Sequence, residues 1–380
     1  MFKKKRNTCI LIIYLLLAFA YYFVGSAIRA LIFTVIVSIS LMTFLNFQKN
    51  RVFYIRSIIS KFLLVFIFVF FIQLFNATFS PFVFYIISTP LISLFILNNK
   101  FDARLLKIPL YLSALVFSAY FVQHRTLHGV YAGISENYVS VVMIMNVILI
   151  NMIEVRQKKQ ISILPSVVCL IFSLLAVGRS GILCATLLFL NVISARWMGL
   201  SKGVKWGVFL LVFLPTVGFV VSNIGLLIKY GEGLTIMEKF SESGMESHSR
   251  SIILNEYLAH MSLENIFLGY NFENNYWFKH YGLNPHNSYI RLHHYFGFLF
   301  FVVMLFIIRN LYRLFRHNRF LAGCAFVILL RAYTDTLLFQ YIYDFVLLSL
   351  LLIPSNKKLL VVMRKRWENS LKMTKVNRGV

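Results

Sequence analysis

In a chain of 380 residues, 59% hydrophobic against 13% charged side chains leaves too little polar surface to keep a fold of this size dispersed in water. A formal net charge of +25 would direct a soluble protein to nucleic acid, but here the basic residues fall between apolar runs, which excludes that reading and makes lipid the solvent. The four cysteines, Cys9, Cys169, Cys184 and Cys324, lie inside apolar stretches without paired spacing, so neither a disulfide framework nor a zinc site is expected.

The chain begins with Lys3-Lys4-Lys5-Arg6 ahead of an apolar run from Thr8 to Val24. This is the charge layout of a signal peptide, with a conceivable cleavage point after Ala20. Retention as a first span is the expectation, because only then does the charge of every later loop alternate correctly. Apolar runs of the length needed to cross about 30 Å of hydrocarbon at 1.5 Å per residue predict twelve helices. They are 8–25, 27–47, 61–78, 81–98, 108–123, 138–153, 161–177, 181–195, 206–228, 291–308, 320–338 and 339–353. Pro81, Pro109, Pro165 and Pro354 fall at or near the ends of these runs, where a missing N–H costs least.

The junctions holding Lys49 to Lys61, Lys100 to Lys107, Arg156 to Lys159, Arg196 to Lys205 and Arg309 to Arg319 are all basic, whereas the alternate junctions carry little beyond Arg29, Arg125 and Arg179. The positive-inside rule then places both termini in the cytoplasm. Seven glutamates, Glu232, Glu238, Glu242, Glu246, Glu256, Glu264 and Glu273, fall between the ninth and tenth spans. That segment, 229–290, is far longer than the about 2–8 residues that usually join bundled helices. Its aromatics and the amphipathic stretch Ser251–Met261 predict an ordered extracytoplasmic loop. The expected architecture is an all-α polytopic membrane protein with a single transmembrane domain over 1–380, a long outer loop and a basic cytoplasmic tail at 354–380.

Charges at the outer ends of spans are costly near lipid and are functional candidates. Arg179 lies in the turn Gly178-Arg179-Ser180-Gly181, and Arg250 in Ser247-His248-Ser249-Arg250-Ser251. Both offer forked donors that match phosphate oxygens, with helix amino termini nearby; snorkelling for Arg179 and pairing with a loop glutamate for Arg250 are the structural alternatives. The loop closes on Asn284-Pro285-His286-Asn287-Ser288-Tyr289-Ile290-Arg291-Leu292-His293-His294. A histidine there can take a proton from a sugar hydroxyl near neutral pH. No outer carboxylate pair accompanies the three histidines, so a metal site is not expected, and His293 and His294 read as packing or interfacial residues. Tyr276 and Trp277 present rings able to stack on sugars or to settle at a membrane interface. Glu136 is a further candidate for contacting substrate or the arginines. Arg331 and Asp335, one turn apart, read first as a local ion pair and second as part of a proton or substrate path.

A Gly-Arg-Ser-Gly turn, a long loop after the ninth span opening near Arg250, and His286-Asn287 with Gly297 downstream together resemble the O-antigen polymerase and O-antigen ligase superfamily across nearly the whole chain. Phe300 departs from the ligase-type pattern, which has Gly, Thr or Tyr there, so the match is to the superfamily rather than to ligases. The resemblance implies an enzyme without metal or cofactor in a bacterial inner membrane. Its donor would be an oligosaccharide carried on undecaprenyl pyrophosphate, with Arg179 and Arg250 on the pyrophosphate and His286 as base or acceptor-orienting group. Asn287, Glu136, Tyr276 and Trp277 would contact substrate; a chain-length regulator and a flippase in the same membrane would be partners. A ligase working on lipid A core sugar, and a lipid-linked oligosaccharide transporter, are the competing readings. The transporter would need a central polar pathway and related halves, and neither is evident.

Overall fold

The computed structural model describes residues 2–44, 52–131, 134–157, 159–198, 248–280, 282–339 and 341–355. The expected ninth span at 206–228, the loop residues 229–247 and the tail beyond 355 lie outside the described residues. Fifteen α-helices and no strand occur among the described residues. They are α1 (Phe2–Ala20), α2 (Ser26–Phe44), α3 (Val52–Phe75), α4 (Tyr85–Asn98), α5 (Ile108–His124), α6 (Asn137–Arg156), α7 (Leu164–Leu175) and α8 (Arg179–Met198). The others are α9 (His248–Ala259), α10 (Leu263–Leu268), α11 (Tyr276–His280), α12 (Ser288–Phe296), α13 (Leu299–His317), α14 (Arg319–Thr334) and α15 (Asp344–Leu352).

Six segments among the described residues are long and apolar enough to cross a membrane: Ser26–Thr43, Ser57–Phe75, Pro81–Asn98, Leu105–His124, Asn137–Arg156 and Arg179–Trp197. They coincide with the second to sixth and the eighth predicted spans. Several hydroxyls of α2 are satisfied locally. Thr34, Ser38 and Ser40 donate to the carbonyls of Ala30, Thr34 and Ile36 at 2.8–2.9 Å, so α2 can carry polar side chains without exposing them to hydrocarbon. Pro81, Pro109 and Pro165 each stand in the first turn of a helix.

The predicted tenth to twelfth spans need correction. The expected helix 291–308 is broken at Gly297, which ends α12 at a φ of 50°. There the amide of Phe298 leaves the helix ladder and donates to the Phe267 carbonyl of α10 at 2.9 Å, and a Cβ on Gly297 would strike that carbonyl. The expected 339–353 span shrinks to α15, whose nine residues reach only about 14 Å at 1.5 Å each, half of a hydrocarbon core. Residues 335–339 and 341–343, which the sequence reading placed in the eleventh and twelfth spans, instead lie between α14 and α15.

The axis of the bundle is α6, buried along its whole length and touched by α5, α7, α8, α14 and α15. Glycines set the spacing around it: a Cβ on Gly178 would meet Asn137, one on Gly181 would meet Ser140, and one on Gly323 of α14 would meet Asn191 of α8. Small residues at such positions let backbones approach without a lipid-derived driving force. A second group, α2 and α3 around α4, joins through α15, which packs on α4, α6, α13 and α14. Outward faces remain apolar, with Phe75 at 80%, Val122 at 67% and Leu305 at 67% exposure.

The ends of α6 differ in character. At its carboxy end Glu154 pairs with Lys107 at 3.1 Å and accepts from Ser162. Arg156 donates to the carbonyls of Ile96 and Leu97 that end α4, and Lys4 pairs with Asp102 at 3.4 Å. The amino end, about 30 Å away along a 20-residue helix, meets the α1–α2, α3–α4 and α14–α15 connections in a cavity.

Candidate functional site

That cavity encloses about 490 Å³ and is walled by Tyr21, Tyr22, Arg29, Tyr85, Asn137, Tyr138, Arg250, Asn284, His286, Arg291, Asp335, Thr336 and Tyr341, among others. The wall residues come from helix ends and the connections between them. Tyr21 and Tyr22 follow α1 and Arg29 lies in the first turn of α2. Asn137 and Tyr138 open α6, Arg250 lies near the start of α9, and Asp335 caps the carboxy end of α14.

The floor is a pair of segments pinned to each other. The buried Ser288 hydroxyl donates to the Asp335 carbonyl at 2.7 Å and accepts from the amides of Leu337 and Leu338 at 2.9 and 3.2 Å. Thr336 donates to the Asn284 side chain at 3.1 Å, and Tyr138 to the Thr336 carbonyl at 2.6 Å. These bonds satisfy the backbone of a non-helical stretch buried in the bundle, where unpaired amides would be costly.

His286 rides on this floor. Its backbone has a φ of 48°, and its amide donates to the Asn284 side chain at 3.0 Å. Histidine is among the residues that tolerate this left-handed region, yet the conformation still stores strain. Burial holds the His286 ring below the ordinary histidine pKa; Asp335 acts to raise it and Arg250 to lower it. Burial thus favours the neutral ring, the form that accepts a proton.

Arg250 is half-buried, and burial lowers its pKa. Asp335 opposes that shift, while Arg331 and Arg179 reinforce it. Arg250 thus feels two further guanidiniums and one carboxylate. Asp335 is held by Arg331 at 3.3 Å and by the Thr336 amide at 2.9 Å. Like charges gathered in a low-dielectric site are unfavourable unless an anion completes them. Arg179 reaches the group from the first position of α8. The turn before it carries Val177 at a φ of 53°, a conformation that is an outlier for a β-branched residue. The close approach of Gly178 and Gly181 to α6 is what brings that turn to the cavity end.

Of the predicted residues, Arg250 and His286 line one cavity, and Arg179 lies within electrostatic reach of Arg250. The others are placed differently. The side-chain oxygen of Asn287 accepts from the Tyr289 and Ile290 amides as the cap of α12. Glu136 contacts His128 at 3.3 Å. Tyr276 and Trp277 stand exposed on α11, edge to face at 5.3 Å. None of these four lines the cavity.

His293 and His294 are structural, as expected: Tyr257 bonds His293 at 2.7 Å, and His294 bonds the Tyr270 carbonyl at 2.7 Å and stacks on Phe272. With Ile253, Tyr257, Phe272 and Phe278 they anchor α9 to α11 over α12. Arg331 and Asp335 do form the local ion pair, and Asp335 also faces the cavity. Sequence reasoning missed Arg29, Arg291 and the tyrosines of the wall. Their only signal was position at the ends of apolar runs, which interfacial aromatics and arginines share. Among the described residues no cluster of side chains is arranged to hold a metal ion.

Comparison with protein-family models, curated proteins and solved structures finds no match.

Proposed function

We propose that the chain is a polytopic membrane glycosyltransferase that polymerises a surface polysaccharide of the O-antigen kind, joining repeat units carried on undecaprenyl pyrophosphate. The observation that carries this reading is the convergence of His286 and Arg250 in one cavity, with Arg179 beside them. Sequence positions 179, 250 and 286 meet at one end of the bundle, with the donors and the base such a transfer needs. The basic residues Lys4, Lys107 and Arg156 gather at the opposite end, which by the positive-inside rule is cytoplasmic. The cavity then opens outside the membrane, where no nucleotide sugar is available and the lipid pyrophosphate supplies the activated bond.

In this mechanism the acceptor hydroxyl oxygen attacks the anomeric carbon. The bond from that carbon to the pyrophosphate oxygen breaks with its electron pair, and His286 takes the hydroxyl proton. Negative charge grows on the leaving pyrophosphate, so Arg179 and Arg250 stabilise the transition state more than the ground state. A single displacement inverts the anomeric configuration.

Deletion of the gene tests the proposal. A polymerase mutant leaves single repeat units on the lipid core; full-length polymer stranded on undecaprenyl carrier would instead assign a ligase. Purified protein in liposomes with lipid-linked repeat units should lengthen chains, and flipping without growth would assign a transporter.

A further inference from the structure

Independently of the glycan-transfer reading, we infer that α10 is a membrane-inserted foot: it lies in the bilayer interface at the cavity end of the bundle, with Leu263 and Phe267 among the lipid chains.

Leu263 and Phe267 are four residues apart, on one side of this short helix, and stand 78% and 58% exposed. The position of α10 supplies the solvent for them. Asn76, directly after Phe75 at the end of the apolar span Ser57–Phe75, donates from its side chain to the Leu268 and Gly269 carbonyls, and its own carbonyl accepts from Asn271 at 2.9 Å. On the other flank the Phe298 amide, just ahead of α13, donates to the Phe267 carbonyl at 2.9 Å, and the two rings lie 6.4 Å apart. The foot is thus held against the ends of α3 and α13, level with the end of a membrane-length apolar segment. Phe71 and Phe75 on α3 and Phe301 and Leu305 on α13 are exposed. The Leu263 and Phe267 face continues that outward apolar surface, at the depth where interfacial aromatics settle.

A second, independent observation points to lipid. The last four carbonyls of a helix have no partner within it, and at a wet surface water satisfies them. In α10 the protein does so at every position. The carbonyls of Asn265, Ile266, Phe267 and Leu268 accept from the Gly269 amide at 2.9 Å, His293 Nε2 at 3.1 Å, the Phe298 amide at 2.9 Å and the Asn76 side chain at 3.3 Å. Backbone beside hydrocarbon has to be satisfied in this way, whereas backbone in water need not be. At the other end the Ser262 hydroxyl accepts from the Asn265 amide at 3.2 Å. Exposed Glu264 lies about 100° round the helix from Leu263, toward headgroups and water. His293 also bonds Tyr257 of α9 at 2.7 Å, so the foot fixes the height of the helix that carries Arg250 to the cavity.

Quenching by lipid tests the inference without reference to enzyme activity. In the full-length chain with the four cysteines replaced, a single cysteine at Leu263, Glu264, Phe267 or Thr126 carries an environment-sensitive nitrobenzoxadiazole label. Each labelled protein is placed in phosphatidylcholine nanodiscs with plain or chain-brominated lipid. For an apolar face seated about 5–10 Å into the boundary between headgroups and chains, labels at 263 and 267 should be quenched by brominated lipid at least about twofold more than those at 264 and 126, with blue-shifted emission. Leu263→Cys and Phe267→Cys are read separately, so that if one fails to fold the other decides. Equal quenching at all sites overturns the inference. So does a label at 267 shielded from aqueous iodide yet untouched by brominated lipid, which would mean that protein covers α10, whether a second copy or residues 206–228 of this chain.

Discussion

His286 joins a strained backbone, a partly buried ring and a cationic neighbour at one position. Because burial and Arg250 both favour the neutral ring, the group is proton-free and competent above its lowered pKa and is lost as a base only as pH falls through it. Polymer formation should therefore keep its rate to below about pH 6.5, the ordinary histidine value, and then decline. In His286→Gln the rate should fall at least about tenfold, roughly 1.4 kcal/mol of transition-state stabilisation, and that acidic limb should vanish. Arg179→Ala and Arg250→Ala should each lose a comparable factor with unchanged protein levels in the membrane, read by polymer banding against an immunoblot. The histidine and both arginines were legible as candidates because charged residues at the outer ends of spans are few. The capping role of Asn287 was equally present in the sequence, as Asn before an apolar-periodic stretch, but the resemblance pointed it toward substrate.

At the scale of elements, the cavity depends on how two loops are held and how closely three helices approach. Ser288 carries one acceptor bond from each of two buried amides and one donor bond to a carbonyl. Ser288→Ala should cost about 1–3 kcal/mol through those orphaned groups, seen as a lower thermal midpoint in detergent, with activity lost along with it. Gly181→Leu should separate α8 from α6, since even a Cβ there meets the Ser140 side chain; the expected readout is reduced folded yield together with lost polymer formation. The helix breaks at Gly297 and after Thr334 were not legible. Both occur within stretches read as single spans, and what interrupts them is contact with α10 and with Ser288, which lie tens of residues away in the chain.

For the whole molecule, the proposed orientation makes a distinct demand. In a background with the four cysteines replaced, a single cysteine at Thr126, in the α5–α6 connection, should react with a membrane-impermeant maleimide in intact spheroplasts. One at Arg104, in the basic α4–α5 connection, should react only after permeabilisation. The opposite pattern would put the cavity on the cytoplasmic side and remove the lipid-pyrophosphate donor from consideration.

Composition and run length by themselves determined that the chain is helical and apolar enough to live in lipid, because a hydrocarbon solvent demands internally satisfied backbone and tolerates few charges. They also located α2, α4 to α8 and α14 to within a few residues. Which helix is the axis was decided only by packing: α6 is wholly buried and α3 faces outward although both are strongly apolar, since apolar side chains suit lipid and protein interior alike. The clustering of Arg250, His286 and Asp335 likewise arises from tertiary contacts between segments tens of residues apart in the chain, which no local pattern encodes.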